Sequence, residues 1–152
     1  MPEQLATPLS RAATESFETL AFCFVELGPL EPFSPDEVDG VVVVAFRGPF
    51  SGALALQLSG GILATLTANM LGLDETPSPE LQLDALGEAA NVICGNVLPR
   101  VAGPSAMFSL GAPAHFEHWE DALAAVGQQP TLIRLRLEGG RADVAFSLMP
   151  AA

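Results

Sequence analysis

The stretch "DALGEAANVICGN", residues 84–96, sets two carboxylates, an amide and a glycine at intervals of four, three and four: Asp84, Glu88, Asn91 and Gly95. On a helix turning about 100° per residue, with Asp84 at zero, Glu88 falls at about 40°, Asn91 at about 340° and Gly95 at about 20°. Leu83, Leu86, Ala90, Ile93, Cys94 and Val97 gather at about 180–280° on the same wheel. Such a helix buries one face and offers another. The ordinary reading of an offered face is a solvated one. Three details point to docking instead. Asn has no local propensity reason to sit in mid-helix. Gly87 and Gly95 each cost about 1 kcal/mol relative to Ala, so a close approach of something is expected there. Ala85, Ala89 and Val92 give the stripe small apolar surroundings.

The chemistry open to this stripe is narrow. A carboxamide donates and accepts, so Asn91 can hold a water in a fixed direction. A carboxylate only accepts, so Glu88 can pair with a cation on a partner. No Ser/His/Asp set lies beside them, and no cation is at hand to neutralise phosphate. Alone, the pair is a poor active site. Inserted into a partner's site that already has a metal and a lysine, it supplies the missing positioning.

The elements that must hold this helix are readable from periodicity. Residues 9–27 form a first helix, capped by Ser10 and stopped by Gly28-Pro29, with Leu9, Ala13, Phe17, Leu20 and Phe24 facing the core. Residues 1–8 are expected to be a loose N-terminal segment, and 28–40 a proline-containing acidic loop. "VVVVAF" (41–46) reads as a strand buried on both faces. "ALALQL" (53–58) returns from it with Leu54, Leu56 and Leu58 on one face. A second helix spans 62–71 and ends at Gly72 in the left-handed manner. The loop 73–81 leads to the third helix, about 82–98, terminated by Pro99. A strand is expected over 105–112, and 114–130 is ambiguous between a short helix and loop. "TLIRLRL" (131–137) and "ADVAFSL" (142–148) form a hairpin around "EGGR", with Ile133, Leu135, Leu137, Val144, Phe146 and Leu148 inward. Strands do not alternate strictly with helices, so the fold class is α+β: helices packed on a mostly antiparallel β-sheet in one domain, 1–152.

Charge narrows the partners. The chain of 152 residues has 18 acidic residues against 6 basic ones, a net charge of -12, and every basic residue is arginine. Such a surface disfavours nucleic acid and anionic membrane. The lack of lysine removes Schiff-base chemistry and the P-loop lysine. No apolar run approaches the ~20 residues of a membrane span. "MPEQLATPLSR" shows no basic-then-apolar leader, so a cytoplasmic location is the default expectation.

Competing signals are weaker. His115 and His118 in "HFEHWED", with Glu117 and Glu120, would share a side if helical, but no third ligand group sits at a diagnostic spacing, so no metal site is expected. Trp119 reads as a core or rim aromatic, and Arg134 and Arg136 as a solvated sheet face. Gly60-Gly61 lacks any phosphate-loop pattern around it. Cys23 and Cys94 read as buried reduced thiols in helical context.

Asp84-x-x-x-Glu88-x-x-Asn91 matches the D/S-x-x-x-E-x-x-N signature of the CheC/CheX/FliY chemotaxis phosphatases. The similarity runs from about residue 10 to 148. It takes in "FETLAF", "FRGPFSGALALQL", the helix ending "NMLGL", "DALGEAANVICGNVLP" and the terminal strand pair around "GG". The chain most resembles the CheX branch. The resemblance implies a phosphatase that hydrolyses the aspartyl phosphate of a CheY-like receiver domain in two-component signalling. It implies that Asn91 orients the attacking water and Glu88 pairs with the receiver's lysine. Asp84 matches the first motif position, whose role in such proteins is local, and Asp84 and Gly95 are expected as partner contacts on the same stripe. It implies no cofactor of the chain's own, the Mg2+ coming with the receiver, and a homodimer with joined sheets. CheC-type members carry a second motif copy in the first helix. Here that helix reads Glu15-x-x-Glu18 with no Asn, so a single site is expected.

A second reading from another class is a non-catalytic docking or adaptor module of the same fold, and a third is an α+β domain with neither role. The distinguishing feature is Asn91. Buried and hydrogen-bonded internally, it could not position water, whereas binding would survive.

Overall fold

The valine run is the spine of the fold. In the computed structural model, which describes residues 2–26, 38–127, 129–137 and 139–150, it lies in β2 (Val38–Arg47) and pairs with β3 (Phe50–Ser59) as an antiparallel hairpin. Val42 and Val44 point to one face with Leu54, Leu56 and Leu58, and Val41 and Val43 to the other with Ala53 and Ala55. Burial on both sides is why the run does not alternate. β3 also pairs along its whole length with β7 (Gly140–Pro150), which returns from β6 (Thr131–Leu137) as the expected hairpin. The described strand order is β1-β6-β7-β3-β2-β4, with β1 (Val25–Glu26) and β4 (Ser109–Leu110) short edge pieces. β5 (Ala114–Phe116) pairs with β2 beside β4. Every described pairing is antiparallel.

Three helices cover one face: α1 (Pro2–Ala21), α2 (Ile62–Leu71) and α3 (Pro79–Ala102). Their buried Leu9, Phe17, Leu63, Leu66, Leu86 and Ile93 join the sheet's large residues in one cluster. The opposite face carries the eight-residue α4 (Trp119–Val126), whose Ala122 and Val126 rest on Val41, Val43, Ala53, Ala55 and Ala145. This is the expected α+β arrangement, with helices on both faces of the sheet.

Several boundaries move. α1 begins at Pro2 and ends at Ala21, so Ser10 lies inside it rather than capping it. Phe22 turns the chain at φ 54 and Phe24, expected in the core, is 58% exposed. The stop expected at Gly28-Pro29 lies outside the described residues. α3 starts at Pro79, where the Ser78 hydroxyl accepts from the Leu81 N–H at 3.2 Å. It runs through Pro99 to Gly103, whose N–H reaches the Pro99 carbonyl. Proline there removes only the N–H that would have met the Gly95 carbonyl, on an exposed side where water can replace it. The strand expected over 105–112 shrinks to Ser109–Leu110, and the ambiguous 114–130 resolves into β5 and α4.

The N-terminus of α2 has a glycine, Gly61, where a capping side chain would be, and the sheet supplies the cap instead. Asp39, at the start of β2, accepts from the Gly61 N–H at 2.8 Å and the Leu63 N–H at 3.0 Å. A carboxylate at that end satisfies two free donors and opposes the helix dipole. Replacing Asp39 with Ala is expected to lower stability by about 1–2 kcal/mol, and with Asn by less, in urea denaturation.

Candidate functional site

α3 has four sides, and its neighbours define three of them. Leu86, Ala90, Ile93 and Val97 bury against the sheet. Farther round, the Asn96 amide donates to the Ser16 hydroxyl of α1 at 2.8 Å, and Arg100 forms an ion pair with Glu15. Ala85 and Ala89 lie on this α1 side by the helical rotation, and they are 5% and 1% exposed. That corrects the expectation that they surround the stripe as open surface: their small size lets two helices approach. On the third side comes the edge of the sheet. A Cβ added at Gly87 would stand 3.0 Å from Cβ and Cγ of Pro113. Gly87 is therefore the glycine that an approaching chain requires, and the approach is internal.

The fourth side is bare. Asp84, Glu88 and Gly95 are exposed, and a Cβ at Gly95 would meet none of the described residues within 4 Å. Leu81, on the same stripe by rotation, is 39% exposed and extends it toward the N-terminus with an apolar residue. Leu83, expected on the buried side, is 42% exposed.

Asn91 stands at the margin between the bare side and the sheet edge. It is half-buried, and its Oδ1 is screened from solvent with no hydrogen-bond partner among the described residues. A screened, unmatched acceptor costs about 1–3 kcal/mol. Among the described residues no internal side-chain hydrogen bond holds Asn91, which leaves its Oδ1 unmatched there. Glu88, three residues back, lies about 5–6 Å away between Cβ atoms by helical geometry.

Other candidates separate from this place. The α1 pair Glu15-x-x-Glu18 forms no second stripe of the same kind, since Glu15 is engaged by Arg100. His115 and His118 share no helix: His115 is on β5 and His118 precedes α4. Arg134 and Arg141 both reach the carboxylate of Asp143, which is 3% exposed and also accepts from Gln57. Cys94 is fully buried, and burial pushes its thiol up to about 12, so it stays protonated and inert. Cys23, expected as buried in a helix, is half-buried beyond the end of α1. No helix among the described residues is long and apolar enough to cross a membrane. The Asp84–Gly95 stripe was visible in the sequence. The contact of Pro113 with Gly87 was not, apart from the glycine itself.

Comparison with known proteins agrees with this geometry. No match is found among curated proteins. Among solved structures, a putative chemotaxis protein from Desulfovibrio vulgaris Hildenborough is similar at 18% identity and TM-score 0.69, covering 95% of this chain and 96% of that one. The chemotaxis protein CheX from Desulfovibrio desulfuricans is similar at 21% identity and TM-score 0.69, with 95% and 99% covered. The CheX–CheY–BeF3–Mg2+ complex from Borrelia burgdorferi contains a similar chain at 16% identity and TM-score 0.67, with 94% and 96% covered. At these identities the likeness is one of fold. The model of the family described as chemotaxis phosphatase CheX matches residues 41–132, more than half the chain and all of α3. The chain belongs to the CheX family of chemotaxis phosphatases.

Proposed function

We propose that this protein dephosphorylates the aspartyl phosphate of a CheY-like receiver domain by inserting the bare side of α3 into the receiver's active site. The observation that carries this reading is the unspent Asn91 carboxamide at the edge of an otherwise exposed Asp84–Glu88–Gly95 stripe. In the reaction a water oxygen bonds to phosphorus as the bond from phosphorus to the aspartyl oxygen breaks, leaving inorganic phosphate and a free carboxylate. Asn91 would orient that water, and Glu88 would accept from a receiver lysine. Asp84 and Gly95 would touch the partner, Gly95 by allowing its backbone to approach. Mg2+ would be held by the receiver, so no cofactor is assigned to this chain. Such a partner would place the protein in the cytoplasm. The homodimer that the resemblance implies is likewise a proposal. Among the described residues β1 pairs with β6 only at Leu137 and Arg136, and Leu132 farther along β6 is 54% exposed.

The test is loss of phosphate from receivers of the same genome, charged with a small-molecule phosphodonor, with and without this protein. Acceleration by the wild type is expected. Asn91→Ala should reduce kcat about 100-fold or more, since misplaced groups cost that much. The same variant should melt at an equal or higher temperature. It removes an unmatched acceptor and puts a better helix former in its place. A variant that loses stability along with activity would contradict the assignment. Glu88→Ala should raise KM about tenfold through loss of one charge-assisted hydrogen bond, with a smaller change in kcat. Gly95→Trp should abolish binding without lowering the melting temperature, because the added side chain points into open space on the docking side. Receiver binding without any acceleration would favour the adaptor reading.

A further inference from the structure

His115 is the one histidine that the fold carries to the motif helix. In the β2–β5 register it stands opposite Val42, and directly opposed residues share a face of the sheet. Val42 belongs to the helix-covered face, so the imidazole lies on that face too, at the sheet's edge. Alternation along the chain puts Pro113 on the same side. Both then meet α3 at Gly87: the His115 Nε2 is 4.0 Å from where a Gly87 Cβ would be. Gly87 immediately precedes Glu88 and lies one turn before Asn91, so the imidazole borders the docking face at its centre. His115 is exposed, and its ring makes no hydrogen bond or ion pair with the described residues.

The charge around it gives the ring a task. The bare side of α3 presents two carboxylates, Asp84 and Glu88, and the protein's net charge is -12. A phosphorylated partner that holds Mg2+ does so with carboxylates and phosphoryl oxygens, which accept. The receiver lysine that would meet Glu88 answers one carboxylate of this face, and the partner's own anionic oxygens still call for a donor from this side. The arginines are elsewhere. Arg100 is held by Glu15, Arg136 by Glu26, and Arg134 and Arg141 by Asp143. Arg11 lines a groove with Ile133 on β6, three strands from β2. Arg47 is five residues beyond Val42 on β2, roughly 17 Å along the strand.

We propose, resting on the phosphatase reading above, that His115 is a further partner-binding residue, whose Nε2 donates to an anionic oxygen on the phosphorylated face of the receiver. Its effect is on association with the partner, not on the attack of water, so it separates from Asn91 in kinetics.

The experiment compares wild type with His115→Glu, His115→Gln and His115→Arg, measuring receiver dephosphorylation, binding to the receiver and thermal melting. His115→Glu is expected to raise KM about tenfold or more with kcat within about twofold, and His115→Arg to stay within about threefold of wild type. His115→Gln, a neutral donor, should fall between them. Melting temperatures should coincide, since the ring is exposed. Binding to receivers with and without beryllofluoride then identifies the acceptor. An effect of His115→Glu confined to the loaded form assigns a phosphoryl oxygen, and an equal effect on both assigns a receiver carboxylate. An unchanged KM in His115→Glu, with wild type active and Asn91→Ala inactive, overturns the role of His115 and leaves the phosphatase reading intact. A wild type that neither binds nor dephosphorylates any receiver removes both.

Discussion

The structure depends on how α3 is held. One helix must bury three sides deeply enough to be rigid and leave the fourth without a neighbour. Leu86, Ile93 and Val97, each nearly inaccessible, secure it to the sheet, and burial of such side chains contributes about 1.5–3 kcal/mol apiece. Ala85 and Ala89 admit α1 on one flank, and Gly87 admits Pro113 on the other. Small residues on the flanks and large ones beneath keep the helix low in the fold. The bare side is therefore fixed in direction while no described side chain covers Gly95. Asn91 is the consequence that matters for chemistry. It sits where packing begins to screen it, yet the fold gives its Oδ1 no partner among the described residues. A group kept rigid, partly desolvated and unspent is costly to a free protein and useful only against something that completes it.

Electrostatics separates scaffold from site. Arg100 ties α1 to α3, Arg134 and Arg136 tie strand to strand, and Arg141 pairs with Asp143 within β7, all through carboxylates of the same fold. Asp143 shows why: it is 3% exposed, and two guanidinium groups and the Gln57 amide meet its carboxylate oxygens. Those four basic charges are thereby engaged by the scaffold, and the exposed side of α3 carries Asp84 and Glu88. On the proposed function, a partner would be selected by the lysine and the metal it brings, and less by bulk attraction.

The two long hairpins were legible in the sequence because β-branched runs and strict alternation leave one sensible register. The Asp84–Gly95 stripe was legible because helical spacing is arithmetic. What could not be read was set by distant partners. Ser10 looks like a cap, but Leu9 and Ala12 on either side find places in the core, and tertiary burial extends α1 back to Pro2. Pro99 looks like a terminator, but it falls where the carbonyl it strands faces solvent, and α3 continues. β4 and β5 have little strand character of their own and exist as additions to the edge of β2. The same holds for the site. Gly87 could be noted as a costly residue in a helix, but its neighbour Pro113 is far along the chain, and only the fold of β5 joins them.

The measurement that tests the central claim most directly is the structure of this protein bound to a receiver from the same genome loaded with beryllofluoride and Mg2+. The account predicts α3 seated in the receiver's active site. The Asn91 carboxamide would be within hydrogen-bonding distance of the position from which water attacks, and the Glu88 carboxylate would lie against a receiver lysine. A complex in which the Asp84–Gly95 side of α3 faces solvent, with the receiver held by another surface, would contradict it.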